Sequence, residues 1–221
     1  MNETFLSTTM LFHGTSPQEI EQMLHCLSAH EKKYRKGENI LSAGTITKNI
    51  GMVLEGGANI ELDDAWGGNT ILSHVKPGEL FAENYACIPD TPLLVNVTAT
   101  ENTTILFLNA NELMQTCSHA CSYHNKLVQN LLQISAKKNL ALSRRSMNTA
   151  SKSIRGRLLS YLSEQSKEAG SYTFTIPFDR QQLADYLGVE RSALSNALSL
   201  MQKDGLISFR KNEFTIKTKK S

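Results

Sequence analysis

The sequence predicts an α+β fold with two domains: an N-terminal double-stranded β-helix, or jelly roll, and a C-terminal module of helices that ends in a β-hairpin. Three patterns predict it. Short apolar segments separated by glycine-containing turns occupy residues 31–108, a helical pattern covers residues 121–144, and residues 147–221 combine helix and hairpin patterns. A chain of 221 residues is long enough for two such domains.

The composition is that of an ordinary globular protein, with 40% hydrophobic and 20% charged residues. The sequence contains no run of about 18 apolar residues, and residues 1–11 lack the basic start and apolar centre of a signal peptide. We therefore expect a cytoplasmic protein that does not enter a membrane. In that compartment the four cysteines need not form disulfides.

The N-terminal domain is expected to begin with a short helix over residues 16–29. Ser16 is a suitable N-cap, Pro17 takes the first helical position, and Glu19 can complete a capping box. Many short strands follow, which favours a sandwich or a small barrel. Residues 51–62, with a glycine-rich turn at their centre, fit a β-hairpin. The predicted strands are residues 39–41, 50–54, 59–62, 70–75, 95–100 and 104–108.

A long helix over residues 121–144 links the two domains. Its apolar side chains step by four and three residues along a wide stripe that Lys138 interrupts, which favours a two-fold dimer helix. The alternative, a helix packed on its own domain, stays open. The predicted domains are residues 1–120, residues 121–146 for the helix and a polar, basic hinge, and residues 147–221. The candidate dimer residues are Leu127, Val128, Leu131, Ile134 and Leu142.

The C-terminal module has the order helix, tight turn, helix, hairpin. Asp179 can cap a helix over residues 180–187, and Gly188 can end it because glycine accepts the positive φ that a helix end often needs. A second helix is expected from residue 190 or 191 to about residue 204. Residues 206–210 and 213–217 then form a hairpin. This order predicts a winged helix-turn-helix.

One face of the second helix is polar and free of acids, lying opposite its leucines. Arginine can pair with guanine and asparagine with adenine in a major groove, so double-stranded DNA is the expected partner. Residues 147–221 contain 12 Lys and Arg against 7 Asp and Glu, which suits a polyanion. A module that contacts only proteins is the alternative. The candidate base-reading residues are Arg191, Ser192, Ser195, Asn196 and Ser199, and the candidate phosphate contacts are Arg180, Gln181 and Lys211.

The chain resembles the Crp/Fnr family of bacterial regulators over nearly its whole length. The glycine-punctuated strands that end in residues 77–81, the long helix, and above all residues 178–195 carry the resemblance. It implies a cyclic-nucleotide-binding-like effector domain, a homodimer that binds inverted repeats, and RNA polymerase as a further partner. Nucleophile–base pairs, a glycine-rich phosphate loop and a His-Glu metal motif are absent from the sequence, so we do not expect an enzyme.

The predicted effector pocket departs from that of the nucleotide-binding members. Glu83 matches their acidic residue, but Ala82 replaces a glycine, and Leu93 and Leu94 fall where an Arg-Ser pair holds the cyclic phosphate. A buried phosphate without a cation is costly, so we expect no binding of cAMP in the usual way, unless Lys76 or Lys138 substitutes. The effector is then an unidentified small molecule. The candidate pocket residues are Phe81, Glu83, Leu93 and Leu94.

No metal or cofactor is expected. Residues 1–25 contain no cysteine for an iron–sulfur cluster, and His74 or Cys87 as a haem ligand is less favoured than a structural role. Cys117, Cys121 and His124 could share one helical face for metal binding or redox sensing, although buried thiols are the simpler interpretation. Ser192 and Asn196 also replace the Arg or Glu that relatives often carry there, so the base preference is expected to differ.

Overall fold

The computed structural model describes residues 2–64, 66, 68–114 and 122–217, except for the side chains of residues 122 and 123. The chain divides into two compact units, Met1–Ala136 and Lys137–Ser221. The boundary falls inside the long helix, whereas the sequence suggested one at residue 146. Within the described ranges, no helix is both long and apolar enough to cross a membrane.

The described residues of the first unit form short helices and eight strands that are joined mainly by tight turns. The capping box predicted at Ser16 and Glu19 is present at the start of α2. The elements are α1 (Glu3–Thr8), α2 (Pro17–Cys26), β1 (His30–Tyr34), β2 (Asn39–Leu41), β3 (Asn49–Glu55), β4 (Ala58–Asp63), β5 (Asn69–Val75), β6 (Leu80–Phe81), α3 (Glu83–Ala86), β7 (Asn96–Ala99), β8 (Thr103–Asn109), α4 (Ala110–Met114) and the start of α5 (Ser122–Thr149).

Two four-stranded antiparallel sheets form the β-roll, in the orders β1-β8-β3-β6 and β2-β7-β4-β5. This confirms the predicted double-stranded β-helix. The hairpin predicted over residues 51–62 is wrong, because β3 and β4 belong to different sheets and β4 pairs with β5 instead. Gly56 has a φ of +79°, and the N–H of Gly57 donates to the Thr103 hydroxyl, so the glycine turn carries the chain from one sheet to the other.

The first unit has two apolar clusters. One contains side chains from both sheets and fills the roll; its members are Tyr34, Ile40, Val53, Ala58, Val75, Phe81, Val97, Ala99, Ile105 and Phe107. The other joins α1, α2, α4 and the start of α5 to β3 and β8. Leu127, Leu131 and Ile134 are buried in this second cluster, so α5 uses them to pack against its own unit.

The second unit is a winged helix-turn-helix, as predicted. Its three-stranded antiparallel sheet has the order β10-β11-β9. The leucines and aromatic side chains of its helices form a separate core with Phe174 and Phe214 from the sheet. After the end of α5, the elements are α6 (Ile154–Ala169), β9 (Thr173–Thr175), α7 (Arg180–Leu187), α8 (Arg191–Lys203), β10 (Ile207–Arg210) and β11 (Glu213–Ile216).

The long helix does not end at residue 144. It continues to Thr149, and Ser153 then caps α6. The polar side chains that suggested a hinge are bonded instead: Asn148 is buried and donates to Glu164 at 2.5 Å. Because no glycine or proline interrupts residues 144–149, polarity alone does not stop the helix there.

Candidate nucleic-acid interface

The helix-turn-helix is built by local chemistry that the sequence contains. Asp179 caps α7 by accepting from the N–H of Gln182 at 2.8 Å, and the Gln182 side chain accepts from the N–H of Asp179 at 2.9 Å. Gly188 ends α7 with a φ of +62°. Glu190 caps α8 by accepting from the N–H of Ala193 at 3.1 Å. Two capped helices on either side of a left-handed glycine fix the angle of the motif.

The predicted base-reading residues lie together on the side of α8 away from the core. We call them the reading face: Arg191, Ser192, Ser195, Asn196 and Ser199. Four are exposed and Ser195 is half-buried. The buried residues of the same helix are Leu194, Leu198 and Met201.

The reading face offers different chemistry at its different positions. The hydroxyls of Ser195 and Ser199 donate to the carbonyls four residues earlier, each at 3.0 Å, and the Ser192 hydroxyl donates to Glu190. These hydroxyls therefore present mainly acceptor lone pairs outward. Within the described ranges, no hydrogen bond or ion pair holds the Arg191 guanidinium, which leaves its donors available.

The three predicted phosphate contacts differ in availability. Arg180 lies over the rings of Phe209 and Phe214, at 4.8 and 5.4 Å, and donates to the carbonyl of Lys211 at 3.0 Å. Burial lowers the pKa of Arg180 from its ordinary value. The Gln181 amide donates to Asp185 of its own helix at 2.9 Å. Lys211 is exposed at the tip of the wing, where its φ is +54°.

Arg180 therefore has a structural role that the sequence did not indicate, because it holds the wing against the start of α7. A cleft of about 500 Å³ lies between the two, lined by Phe178, Asp179, Arg180 and Lys211 among others. Of the two cations among the predicted phosphate contacts, Lys211 is more available to DNA than Arg180.

Two arginines that sequence reasoning missed hold the end of α7. Arg145 donates to the carbonyls of Asp185 and Tyr186, both at 3.0 Å. Arg157 donates to the carbonyls of Leu187 and Gly188, at 2.8 and 3.1 Å. The last carbonyls of a helix lack partners within it and attract cations. The end of α5 and the start of α6 are thereby bonded directly to the turn of the motif.

The predicted effector pocket is only partly assembled. Phe81, Glu83 and Leu93 are buried, but Leu94 is 71% exposed, so its assignment to an enclosed pocket is wrong. Both leucines lie in the bend that precedes β7, where Leu93 turns into the core and Leu94 faces outward. Phe81 also fills the roll: a Cβ added to Gly51 would lie 2.1 Å from its Cζ atom.

A larger cleft, of about 820 Å³, lies elsewhere on the first unit and includes none of the predicted pocket residues. Exposed cations of β1 and the following turn line it, with Lys33, Arg35 and Lys36 near Glu38 and Glu55. Both signs of charge are therefore present, and β1 is an edge strand, where lysines commonly prevent unwanted strand pairing.

The candidate metal and redox residues that the structure describes do not lie together. Cys117 and Cys121 lie outside the described residues, and the His124 ring bonds through Nε2 to the carbonyl of Glu112 at 3.1 Å. His74 is exposed and bonds to Asn59 at 3.0 Å. Burial, with a smaller effect from the Glu83 carboxylate, raises the pKa of the Cys87 thiol. Within the described ranges, no three His, Cys, Asp or Glu side chains could share a metal ion.

Known proteins resemble both units. A cyclic nucleotide-binding domain model matches residues 31–120, and a Crp-like helix-turn-helix domain model matches residues 156–220. The catabolite activator protein of Thermus thermophilus aligns at 20% identity over 95% of this chain and 94% of that chain, with a TM-score of 0.53. The c-di-GMP-responsive regulator CLP of Xanthomonas campestris aligns at 19% identity over 92% and 100% of the two chains, with a TM-score of 0.52.

A third similar structure is CprK complexed with OCPA, at 14% identity over 88% of this chain and 91% of that chain, with a TM-score of 0.62. At these identities the structures establish a common fold. No curated protein sequence matches the chain significantly. The two family models nevertheless cover more than two thirds of the residues, in the order of the two units, and the chain belongs to the Crp/Fnr family of DNA-binding transcription regulators with an effector-binding domain.

Proposed function

We propose that this regulator acts as a homodimer that places the reading face of α8 in successive major grooves of an inverted repeat. The single observation that carries the proposal is the exposed guanidinium of Arg191 at the start of an acid-free polar face, opposite the buried leucines. The first turns of a recognition helix are the part that reaches base edges. Arg191 is the residue best suited to guanine, and Asn196 to adenine.

Phosphate contacts are proposed for the wing, chiefly through Lys211. Arg180 is proposed to act mainly by holding that wing in place, since its guanidinium already has aromatic and carbonyl partners. Gln181 keeps one free amide hydrogen and a carbonyl, and it is proposed to contact DNA through a bridging water rather than to bind a phosphate directly. This division leaves sequence reading to α8 and positioning to the wing.

The dimer is proposed to form along a seam of α5 that shares only Val128 and Leu142 with the predicted one. Of the candidate dimer residues, only Val128 and Leu142 are exposed, while the other three pack inside the first unit. Leu132 is 68% exposed and was missed. The seam, spaced by four and three residues, is Val128, Leu132, Ser135, Asn139 and Leu142.

This spacing keeps one face of a helix toward a second helix, as in a coiled coil. Two polar residues at the middle of the seam, Ser135 and Asn139, would favour one register over others, at some loss of affinity. Within the second unit, the end of α5 is bonded to α6 through Asn148 and to α7 through Arg145.

The effector is proposed to be a small molecule other than cAMP bound in the usual way. Leu93 and Leu94 offer no cation for a cyclic phosphate, and Lys76 is exposed. Similar proteins show that the fold does not determine the ligand, since CLP responds to c-di-GMP and CprK binds OCPA. Isothermal titration with cAMP should show no binding at micromolar concentrations. RNA polymerase is the further partner proposed for a chain with this role.

The DNA-binding mode is tested by selecting sites from a randomised duplex library and measuring affinity by fluorescence anisotropy. The selected sequence should be a pseudo-palindrome with half-site centres about 34 Å apart. Arg191→Ala should relax the preference at one base pair per half-site by about 1–3 kcal/mol. Arg35→Ala, which removes an exposed arginine from the first unit, should leave the preference unchanged. An Arg191→Ala variant that selects the same site with the same preference would show that the proposed orientation is wrong.

A further inference from the structure

Both helices of the helix-turn-helix begin with a carboxylate of this chain bound to their own N–H groups. Asp179 accepts from the N–H of Gln182 at the start of α7, at 2.8 Å. Glu190 accepts from the N–H of Ala193 at the start of α8, at 3.1 Å, and from the Ser192 hydroxyl. Both carboxylates are exposed. Free N–H groups at a helix start are a favoured place for a phosphate, and here those of Gln182 and Ala193 already bind side-chain anions.

The charge of Glu190 is stabilised where it lies. The hydrogen bond from the Ser192 hydroxyl, followed by those from the N–H groups of Ala193 and Ser192, lowers the pKa of Glu190 from its ordinary value. The side chain is therefore an anion at neutral pH. It directly precedes Arg191, the residue proposed to read guanine, whereas the reading face itself contains no acid.

A DNA phosphate at either helix start would meet one of these carboxylates at close range. Like charges repel, and the N–H groups of Gln182 and Ala193, which could offset the repulsion, are already bonded to these carboxylates. At a base edge the situation is different, because a major groove presents amino donors as well as acceptors. The carboxylates thus oppose the sequence-independent contacts more than the contacts that read sequence.

We propose that Asp179 and Glu190 act as built-in anions that keep DNA phosphates away from the starts of α7 and α8, and so raise the preference for the regulator's own site over other DNA. The proposal rests on the DNA-binding mode proposed above. Phosphates are then held by cations of the wing, such as Lys211 and Arg210, and the start of α8 is left for base edges.

The test compares Glu190→Gln and Asp179→Asn with the unchanged full-length chain. Each variant removes one charge and keeps an oxygen that can cap the helix. Affinity is measured by anisotropy for the selected site and for a duplex of unrelated sequence, at about 50 and about 200 mM salt. Thermal unfolding confirms that the variants are folded. Glu31→Gln removes a charge from exposed β1 of the first unit and is the matched control.

We expect each variant to bind the unrelated duplex roughly two- to five-fold more tightly at low salt, from the usual effect of one charge at a helix start. The gain should be smaller at high salt, because salt screens it. The selected site should gain less, so that the preference for it falls.

The proposal is overturned if the variants gain no affinity for the unrelated duplex, if they gain no more than Glu31→Gln, or if both duplexes gain equally. Failure of the proposed function would look different, since the unchanged chain would then select no preferred site. The two variants affect separate helices, so if one of them fails to fold, the affinities of the other still test the proposal.

Discussion

Replacement of Asn148 by alanine should strongly destabilise the second unit, although the residue lies in a segment that the sequence marks as polar and basic. Asn148 is only 2% exposed. Its amide nitrogen donates to the Glu164 carboxylate at 2.5 Å and to the Tyr186 hydroxyl at 3.2 Å, and its oxygen accepts from the Ser160 hydroxyl at 2.9 Å. Alanine removes all three bonds and leaves their partners in a largely enclosed space.

The expected loss follows from these bonds. Two neutral hydrogen bonds contribute about 1 kcal/mol each and one to a carboxylate about 1.5–3 kcal/mol, which together give about 3–5 kcal/mol. Alanine favours a helix more than asparagine by about 0.6 kcal/mol, which offsets part of the loss. We therefore expect the free energy of unfolding to fall by about 3 kcal/mol, and the melting temperature of this unit by roughly 10 °C or more.

The assay is differential scanning calorimetry with urea unfolding followed by circular dichroism. Gln133→Ala is the control, because it removes an exposed amide from the same helix and should change the free energy of unfolding little. A loss below about 1 kcal/mol for Asn148→Ala would contradict this prediction, since even the smallest sum of these bonds exceeds that value. The end of α5 would then be a loosely held segment, as the sequence alone suggested.

Two further predictions follow. Leu132→Glu should raise the dimer dissociation constant roughly 100-fold or more, because each chain loses about 1.5–3 kcal/mol of apolar burial. Light scattering should show a monomer for this variant, whereas the control Gln133→Glu should stay dimeric. Tyr161→Phe should raise the free energy of unfolding by about 1 kcal/mol, because its hydroxyl is buried without a partner among the described residues. Tyr186→Phe is the control: it removes the acceptor of Asn148 and should lower stability, and a clear loss for Tyr161→Phe would contradict the prediction.

The helix-turn-helix could be predicted from sequence because its geometry is determined by neighbouring residues. Asp179, Gly188 and the spacing of the leucines each act within one turn of helix or across one short loop. Such local chemistry can be seen in a single chain. The β-roll was predicted in outline for the same reason, but the pairing of its strands was not, because the turn at Gly56 can either close a hairpin or lead to another sheet.

The sequence alone could not predict which apolar face of α5 packs against its own unit. The helix is apolar on two adjacent faces, and periodicity does not say which face its own unit covers. Leu127 and Leu131 pack against α1, α2 and the sheet, which leaves Val128 and Leu132 outward. The choice depends on contacts with residues more than a hundred positions earlier, such as the bonds from Asn130 to the carbonyls near residue 11.

The arginines at the end of α7 were missed for a related reason. Their acceptors are backbone carbonyls, which every residue has, so no sequence pattern identifies the partner of Arg145 or Arg157. The same limit applies to Leu94, whose position could be counted along the chain while its direction could not. The partners of side chains that bond to the backbone, and the directions of side chains in a bend, become visible only once the fold is known.

These contacts bond the last turns of α5 to the other helices of the second unit. Arg145 bonds to the carbonyls at the end of α7, Asn148 bonds to α6 and to Tyr186, and Arg157 completes the set at Gly188. Within the second unit, the end of α5 is thus bonded directly to the end of α7. In the proposed homodimer, we expect an effector to act by changing how two copies of α5 meet, and thereby the spacing of the two reading faces.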